Sequence, residues 1–184
     1  MTDMVEVIID SIRVSLMSQQ RIVILREVDD ERYLPIWIGT PEADSITIAL
    51  QEVEVARPLT HDLVKNIFNS FDARILRVEV VALQEDTFYG NIVAEVDGRT
   101  VNIDSRPSDA LALAVRAHVP IMVAKTVMDM AGIIPEEDMQ EEGEELGEGE
   151  GVEAGSERLS VFKDFLENLE LDQDEEENGG EETD

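Results

Sequence analysis

The sequence predicts an α+β fold: two similar β-β-β-α units with antiparallel or mixed sheets sharing one core, plus a flexible acidic C-terminal tail with one short amphipathic helix. Three observations predict it. Alternating, β-branched runs recur in two sets of three, each set ended by a proline-opened break and an apolar helix. Short polar turns separate the runs within a set, which suits hairpins rather than the long crossovers of a doubly wound sheet. Charge is also unevenly placed: of 14 basic and 43 acidic residues, positions 135–184 hold only 2 basic but 22 acidic ones.

Val5 to Leu16 alternates for most of its length and reads as a strand bent near Asp10-Ser11. Arg21 to Val28 is the second strand, after the polar turn Met17 to Gln20, and Arg32 to Ile38 is the third. Pro35 lacks a ladder donor, so the third strand belongs at an edge or a bulge. Trp37 in that strand reads as core rather than as a platform for stacking bases. Gly39-Thr40-Pro41 ends the meander; Thr40 suits an N-cap, Pro41 the first turn and Glu42 the positive end of the helix dipole. Ala43, Ile46, Ala49 and Leu50 make a helical stripe at spacings of three and four. Thr60 reads as the cap of a second helix from His61 to about Phe71, with Leu63, Val64, Ile67, Phe68 and Phe71 as its apolar face.

The second unit starts with strands at Ala73–Leu83 and Thr87–Val96, around the turn Gln84-Glu85-Asp86. Asp97-Gly98 is a strong two-residue hairpin signal, and Arg99 to Ile103 pairs back. An elbow follows, Asp104-Ser105-Arg106, and Pro107 opens a helix rich in Ala and Leu through Arg116. His118-Val119-Pro120 leads to a short strand at Ile121–Val123, and a last helix from about Lys125 to Ala131 stops at Gly132, read as a C-cap. His118, at a helix end that favours a cation, reads as structural.

These elements delimit a domain over 1–134, a disordered acidic linker over 135–155, an amphipathic helix over 156–171 and a disordered acidic end over 172–184. The linker is too poor in apolar residues to fold, whereas Leu159, Phe162, Phe165, Leu166 and Leu169 share one helical face. The net charge of −29 is concentrated in this tail, which should repel nucleic acid or occupy a basic groove in its place. Deleting 135–184 is therefore expected to raise nucleic-acid affinity or activity at low salt.

No cysteine is present, which excludes disulfides, thiolate nucleophiles and cysteine-based zinc sites. The start has neither a basic leader nor a long apolar run, and no stretch reaches the roughly 18 apolar residues of a membrane span. The expected location is cytoplasmic, with no membrane partner. No GxGxxG, P-loop, GxSxG or HExxH pattern occurs, so no nucleotide cofactor is expected.

With the elbow, LPIWIG (Leu34–Gly39), RPLTHDL (Arg57–Leu63) and EDTFYG (Glu85–Gly90) in view, the chain resembles the bifunctional nuclease family. The resemblance covers about residues 4–134, and FKDFLENL in the tail is similar to the end of bacterial members. It implies a small α+β protein with DNase and RNase activity of little sequence specificity, and nucleic acid as substrate. Some members carry a basic helical hairpin of the excision-repair kind; this chain has an acidic tail instead. By motif membership Arg57, His61, Asp62, Asp104, Ser105, Arg106, Ser108 and Asp109 become the candidate residues.

Their roles follow from what phosphodiester hydrolysis needs: an activated water, neutralised phosphate charge and help for the leaving oxygen. Asp104 and Asp109 flank the elbow and, with Asp62, are candidate ligands for Mg²⁺ or Mn²⁺, which prefer oxygen donors. Asp104, Asp109 and His61 are the catalytic candidates, His61 because imidazole titrates near neutrality. Arg57, Arg106, Ser105 and Ser108 are the candidate phosphate contacts, arginine for its bidentate fork. The plainer alternative stays open: Asp109 favouring the helix dipole, Ser105 or Ser108 capping, Arg106 paired with Asp104. In that case the chain is a non-catalytic binding or regulatory module whose tail helix recruits a partner. A homo-oligomer is expected because an open sheet has edges to cover.

Overall fold

The computed structural model describes residues 3–14 and 20–134. Within them the chain runs β1 (Met4–Val14), β2 (Arg21–Glu27), β3 (Tyr33–Ile38), α1 (Thr40–Leu50), α2 (Thr60–Ser70), β4 (Arg74–Gln84), β5 (Thr87–Val96), β6 (Arg99–Ser105), α3 (Pro107–Ala117), β7 (Ile121–Ala124) and α4 (Lys125–Ala131). The linker 135–155, the helix read over 156–171, the acidic end 172–184 and the last residues of the first strand lie outside the described residues.

All seven strands join one mixed sheet in the order β3-β2-β1-β7-β4-β5-β6. Each unit supplies an antiparallel meander, and the two meanders are separated by β7, antiparallel to β1 and parallel to β4. The two-unit α+β prediction therefore stands, with β7 joining the two meanders into a single sheet. Tight turns fit the antiparallel pairs: Asp97 and Gly98 both have positive φ, 51° and 72°, the conformation a two-residue hairpin loop requires.

Register explains the core. Val23 faces Ile36 and Leu25 faces Leu34; Val7 and Val78 flank Ile121, and Ile92 lies beside Val78. These side chains meet Ile46 of α1 and the run Ala110 to Ala114 of α3, every one of them buried. Helix α3 packs against β4, β5, α1 and α2, so it is enclosed on several sides. Its alternating Ala and Leu suit that position, because alanine lets neighbouring backbones approach closely while leucine fills the gaps.

Several local expectations are corrected, among them the apolar face of α2: Val64 and Phe68 pack against the core, whereas Leu63, Ile67 and Phe71 are exposed. Trp37 is 46% exposed rather than core, because Leu34 and Ile36 take the inward positions of β3 and the pleat turns Pro35 and Trp37 to the other face. Pro35 does lie on an edge strand. Thr40, Thr60, Ser105 and Ser108 do not cap: the N-caps are Gly39, Leu59 and Arg106, none with a side-chain cap bond. At α2 the free amide is met differently, the Leu59 N–H donating to Asp62 Oδ2 at 2.8 Å. Gly132 is the C-cap of α4 as expected, though in extended rather than left-handed backbone, while His118 ends α3 in the left-handed region.

Candidate functional site

The start of α3 is shaped from below by β5. Gly90 pairs with Ser105, and a Cβ at Gly90 would lie 2.9 Å from the Pro107 nitrogen and the Ser105 carbonyl oxygen. The elbow thus needs glycine in the EDTFYG motif, since any side chain would push against backbone. Beyond the elbow, Ala110 N–H donates to the Arg106 carbonyl at 3.1 Å and α3 begins.

Three helices converge there on one polar chain. Arg106 donates through Nε to Asp109 Oδ2 at 2.8 Å and through Nη2 to Asp109 Oδ1 at 3.1 Å, a two-pronged grip. The same Nη2 reaches Glu42 Oε1 of α1 at 2.5 Å. Asp109 Oδ1 also lies 3.2 Å from His61 Nε2 at the start of α2, and His61 Nδ1 lies 2.9 Å from Ser45 Oγ of α1. The order Glu42–Arg106–Asp109–His61–Ser45 crosses α1, α3, α2 and α1 again. From Arg106 inward it grades from wet to dry: the Arg106 side chain is 65% exposed, whereas His61 and Ser45 are buried.

The electrostatics follow. Burial pushes the Asp109 carboxyl up, but hydrogen bonds and charge from Arg106, with help from His61, outweigh it and hold the group below the ordinary carboxylate range. The two carboxylates in turn raise the Arg106 pKa. An ionised Asp109 only accepts, so His61 Nε2 donates to it, while Nδ1 faces the Ser45 hydroxyl, a group able to donate or accept. Both ring nitrogens are thereby engaged inside the protein.

A second chain lies behind the first. Arg116, buried at the far end of α3, donates to Asp62 Oδ1 at 2.7 Å, to the Ala112 carbonyl and to the Ser45 carbonyl at 3.1 Å. Burial pushes the Asp62 carboxyl up, and the Leu59 amide and Arg116 more than reverse it.

The candidates therefore separate. Arg106, Asp109 and His61 come together, and Asp62 lies beside them in the Arg116 pair. Asp104 does not join: it pairs with Asn91 in the sheet, next to Glu79, whereas its neighbour Ile103 pairs with the core residue Ile92. Successive strand residues point to opposite faces, so Asp104 lies across the sheet from the face α3 packs on. Arg106 pairs with Asp109 and Glu42 rather than with Asp104. Ser105 Oγ is buried with no hydrogen-bond partner, and Ser108 is buried in the first turn of α3. Arg57 is exposed in the connector before α2, without an ion-pair partner among the described residues.

The described carboxylates do not form one ligand set. Asp109 and Asp62 each use both oxygens on protein donors, Asp104 is on another face, and no three His, Asp or Glu among the described residues converge as metal ligands. Of the candidate arginines among the described residues, Arg74, Arg77, Arg106 and Arg116 each pair with an acid.

Sequence reasoning missed Glu42 and Ser45 as members of the site. Glu42 was legible only as a first-turn acid. The signal that could have found Ser45 is its place between Ala43 and Ile46, both on the buried side of α1. An open, mostly apolar cleft of about 500 Å³, lined by Val7, Ile9, Leu50, Val115 and Val119 among others, lies at the opposite end of α3. No helix among the described residues is long and apolar enough to cross a membrane.

Comparison with known proteins gives this geometry its context. Residues 23–136 match the bifunctional nuclease domain, a span containing every residue of both polar chains. An uncharacterized protein of Mycobacterium tuberculosis, Rv1829, is 38% identical over 168 residues, covering 91% of this chain and 96% of that protein. Bifunctional nuclease 1 of Oryza sativa subsp. indica is 26% identical over 109 residues, 58% of this chain and 33% of its own length. Bifunctional nuclease 2 of Arabidopsis thaliana is 30% identical over 95 residues, 50% of this chain and 29% of its own length. The matched span contains both meanders from β2 onward, all four helices and the elbow that joins them, and the chain belongs to the bifunctional nuclease domain family.

Proposed function

We propose that this chain hydrolyses phosphodiester bonds in DNA and RNA with little sequence specificity, working at the start of α3, in the cytoplasm and as a homo-oligomer. The observation that supports the reading best is that, within the family's matched span, His61 of one motif meets Arg106 and Asp109 of another at the start of α3. Arg106 contacts a substrate phosphate through its exposed guanidinium. As it turns to the phosphate, Asp109 loses its strongest stabilising donor, its pKa rises and it becomes a better proton acceptor for the attacking water. His61, held by Ser45, keeps Asp109 oriented. Glu42, Arg106 and Asp109 together carry a formal charge of −1, so phosphate affinity depends on this rearrangement rather than on a standing positive field.

Help from Mg²⁺ or Mn²⁺ is an open part of the proposal, and no step above passes through a metal. A second reading has a specific observation behind it: both His61 nitrogens and both Asp109 oxygens are already satisfied, as in a structural network. In that reading the chain is a binding or regulatory module that recruits a partner.

The test is incubation of highly purified protein with single-stranded RNA and DNA, with and without Mg²⁺ or Mn²⁺, beside Arg106→Ala, Asp109→Asn and Asp104→Asn. Cleavage abolished by the first two and kept by the third supports the site. Cleavage that survives Asp109→Asn and Arg106→Ala rejects it, and an inactive wild type favours the module.

A further inference from the structure

We propose that two copies of this chain pair edge to edge through β6, antiparallel and centred on Asn102, continuing one sheet across a twofold axis. This deepens the self-association in the reading above and is independent of nuclease activity. The two ends of the seven-strand sheet are β3 and β6, and they differ. On β3, Pro35 has no amide to offer, and Tyr33 already exchanges both backbone hydrogen bonds with Ile133, at 2.7 and 2.8 Å. On β6 neither device occurs: its seven residues include no proline, and pairing to β5 runs without a bulge from Arg99 to Ser105. The first six residues are exposed, and no backbone bond beyond the β5 ladder is made from them among the described residues. Natural sheets usually blunt such an edge, because its outward amides and carbonyls are a template for another strand.

The strand is also complementary to itself. A twofold axis normal to the sheet keeps side chains on their own face and sets one residue opposite its copy. With Asn102 at the axis, Val101 falls opposite the second copy's Ile103, and Ile103 opposite its Val101. These two are 36% and 38% exposed on one face, and the pairing covers both. Thr100 then meets Asp104 and Arg99 meets Ser105, so no like charges oppose. Centring on Val101 would set Arg99 against Ile103, and centring on Ile103 would set Asn102 against Asp104. Only the Asn102 register makes two apolar pairs. The uncharged middle of β6, with one Arg and one Asp at its ends, also suits a chain of net charge −29, whose copies otherwise repel.

The test is sedimentation of the full chain over a concentration series. The wild type is expected to be a dimer that strengthens between about 0.05 and about 0.5 M salt as repulsion is screened. V101K/I103K sets lysine against lysine twice and is expected to weaken dimerisation at least tenfold, with the thermal midpoint nearly unchanged. V101K/I103E sets lysine against glutamate twice and is expected to restore the dimer. A wild type that is monomeric at every concentration up to about 100 μM overturns the proposal. So does a dimer indifferent to V101K/I103K, or one equally lost in V101K/I103E. Dimerisation lost only in L63S/I67S would place the contact on the exposed face of α2 and overturn it too. Should V101K/I103K fail to fold, amide exchange of wild-type residues 99–105 decides: protection lost on dilution supports β6 pairing, and unchanged protection rejects it. Nuclease assays are not read here, so either idea can fail without the other.

Discussion

His61 and Asp109 meet at 3.2 Å across α2 and α3, and this contact puts a proton on Nε2, the nitrogen that faces the carboxylate. The carboxylate accepts the hydrogen bond from Nε2–H, and Nδ1 meets the Ser45 hydroxyl at 2.9 Å. A buried hydroxyl on α1 thus acts on the exposed Arg106 only through two intervening side chains.

Ser45→Ala removes the hydroxyl that meets Nδ1 and leaves a buried ring nitrogen unmet, which is expected to cost about 1–3 kcal/mol. Urea denaturation gives the loss. If cleavage is present, Ser45→Ala should shift its pH profile, a change that loss of packing alone would not produce.

Arg106 is mostly exposed, so Arg106→Ala should change stability by no more than about 1 kcal/mol while lowering cleavage more than tenfold. Arg106→Lys should not restore activity, because an ammonium cannot reproduce the fork held by Asp109. Parallel unfolding curves and rate measurements separate the two effects.

Arg116 is buried and Asp62 is its ion partner. Asp62→Ala strands a buried cation and is expected to cost about 3–5 kcal/mol, more than the double change Asp62→Ala/Arg116→Met, which removes both charges. Equal losses in the single and double variants would show that the charge is not what matters.

Gly90→Ala should destabilise by about 1–3 kcal/mol, because the new methyl meets backbone atoms of the elbow rather than a yielding side chain. The same substitution at exposed Gly98 should also destabilise, through its positive φ, but should leave the elbow and cleavage intact. Denaturation and activity measured together distinguish the two sites.

Asp109 and Asp62 have pKa values held below the ordinary 3.8. A depressed folded pKa means the unfolded chain binds these protons more readily. The stabilisation is complete above the unfolded value and disappears as pH falls through the folded one. Thermal midpoints should therefore fall below about pH 4, and Asp109→Asn and Asp62→Asn should each lose less than wild type between about pH 5 and 3.

The sequence by itself determined the local elements: alternation marked the strands, Asp97-Gly98 the hairpin, and Pro41 and Pro107 the helix starts. These are short-range consequences of backbone sterics and period, so they can be read without knowing the fold. Family membership was legible for the same reason, since its four motifs are contiguous blocks. Only the tertiary structure decided that Asp104 and Asp109, five residues apart, face different sides of the sheet, while Asp109 and His61, 48 apart, touch. It also recruited Glu42 and Ser45, turned Trp37 outward and set β7 between the two meanders. Such contacts depend on which strand lies beside which and on where each pleat points. That choice is made by packing the whole core, and no local window of the chain contains it.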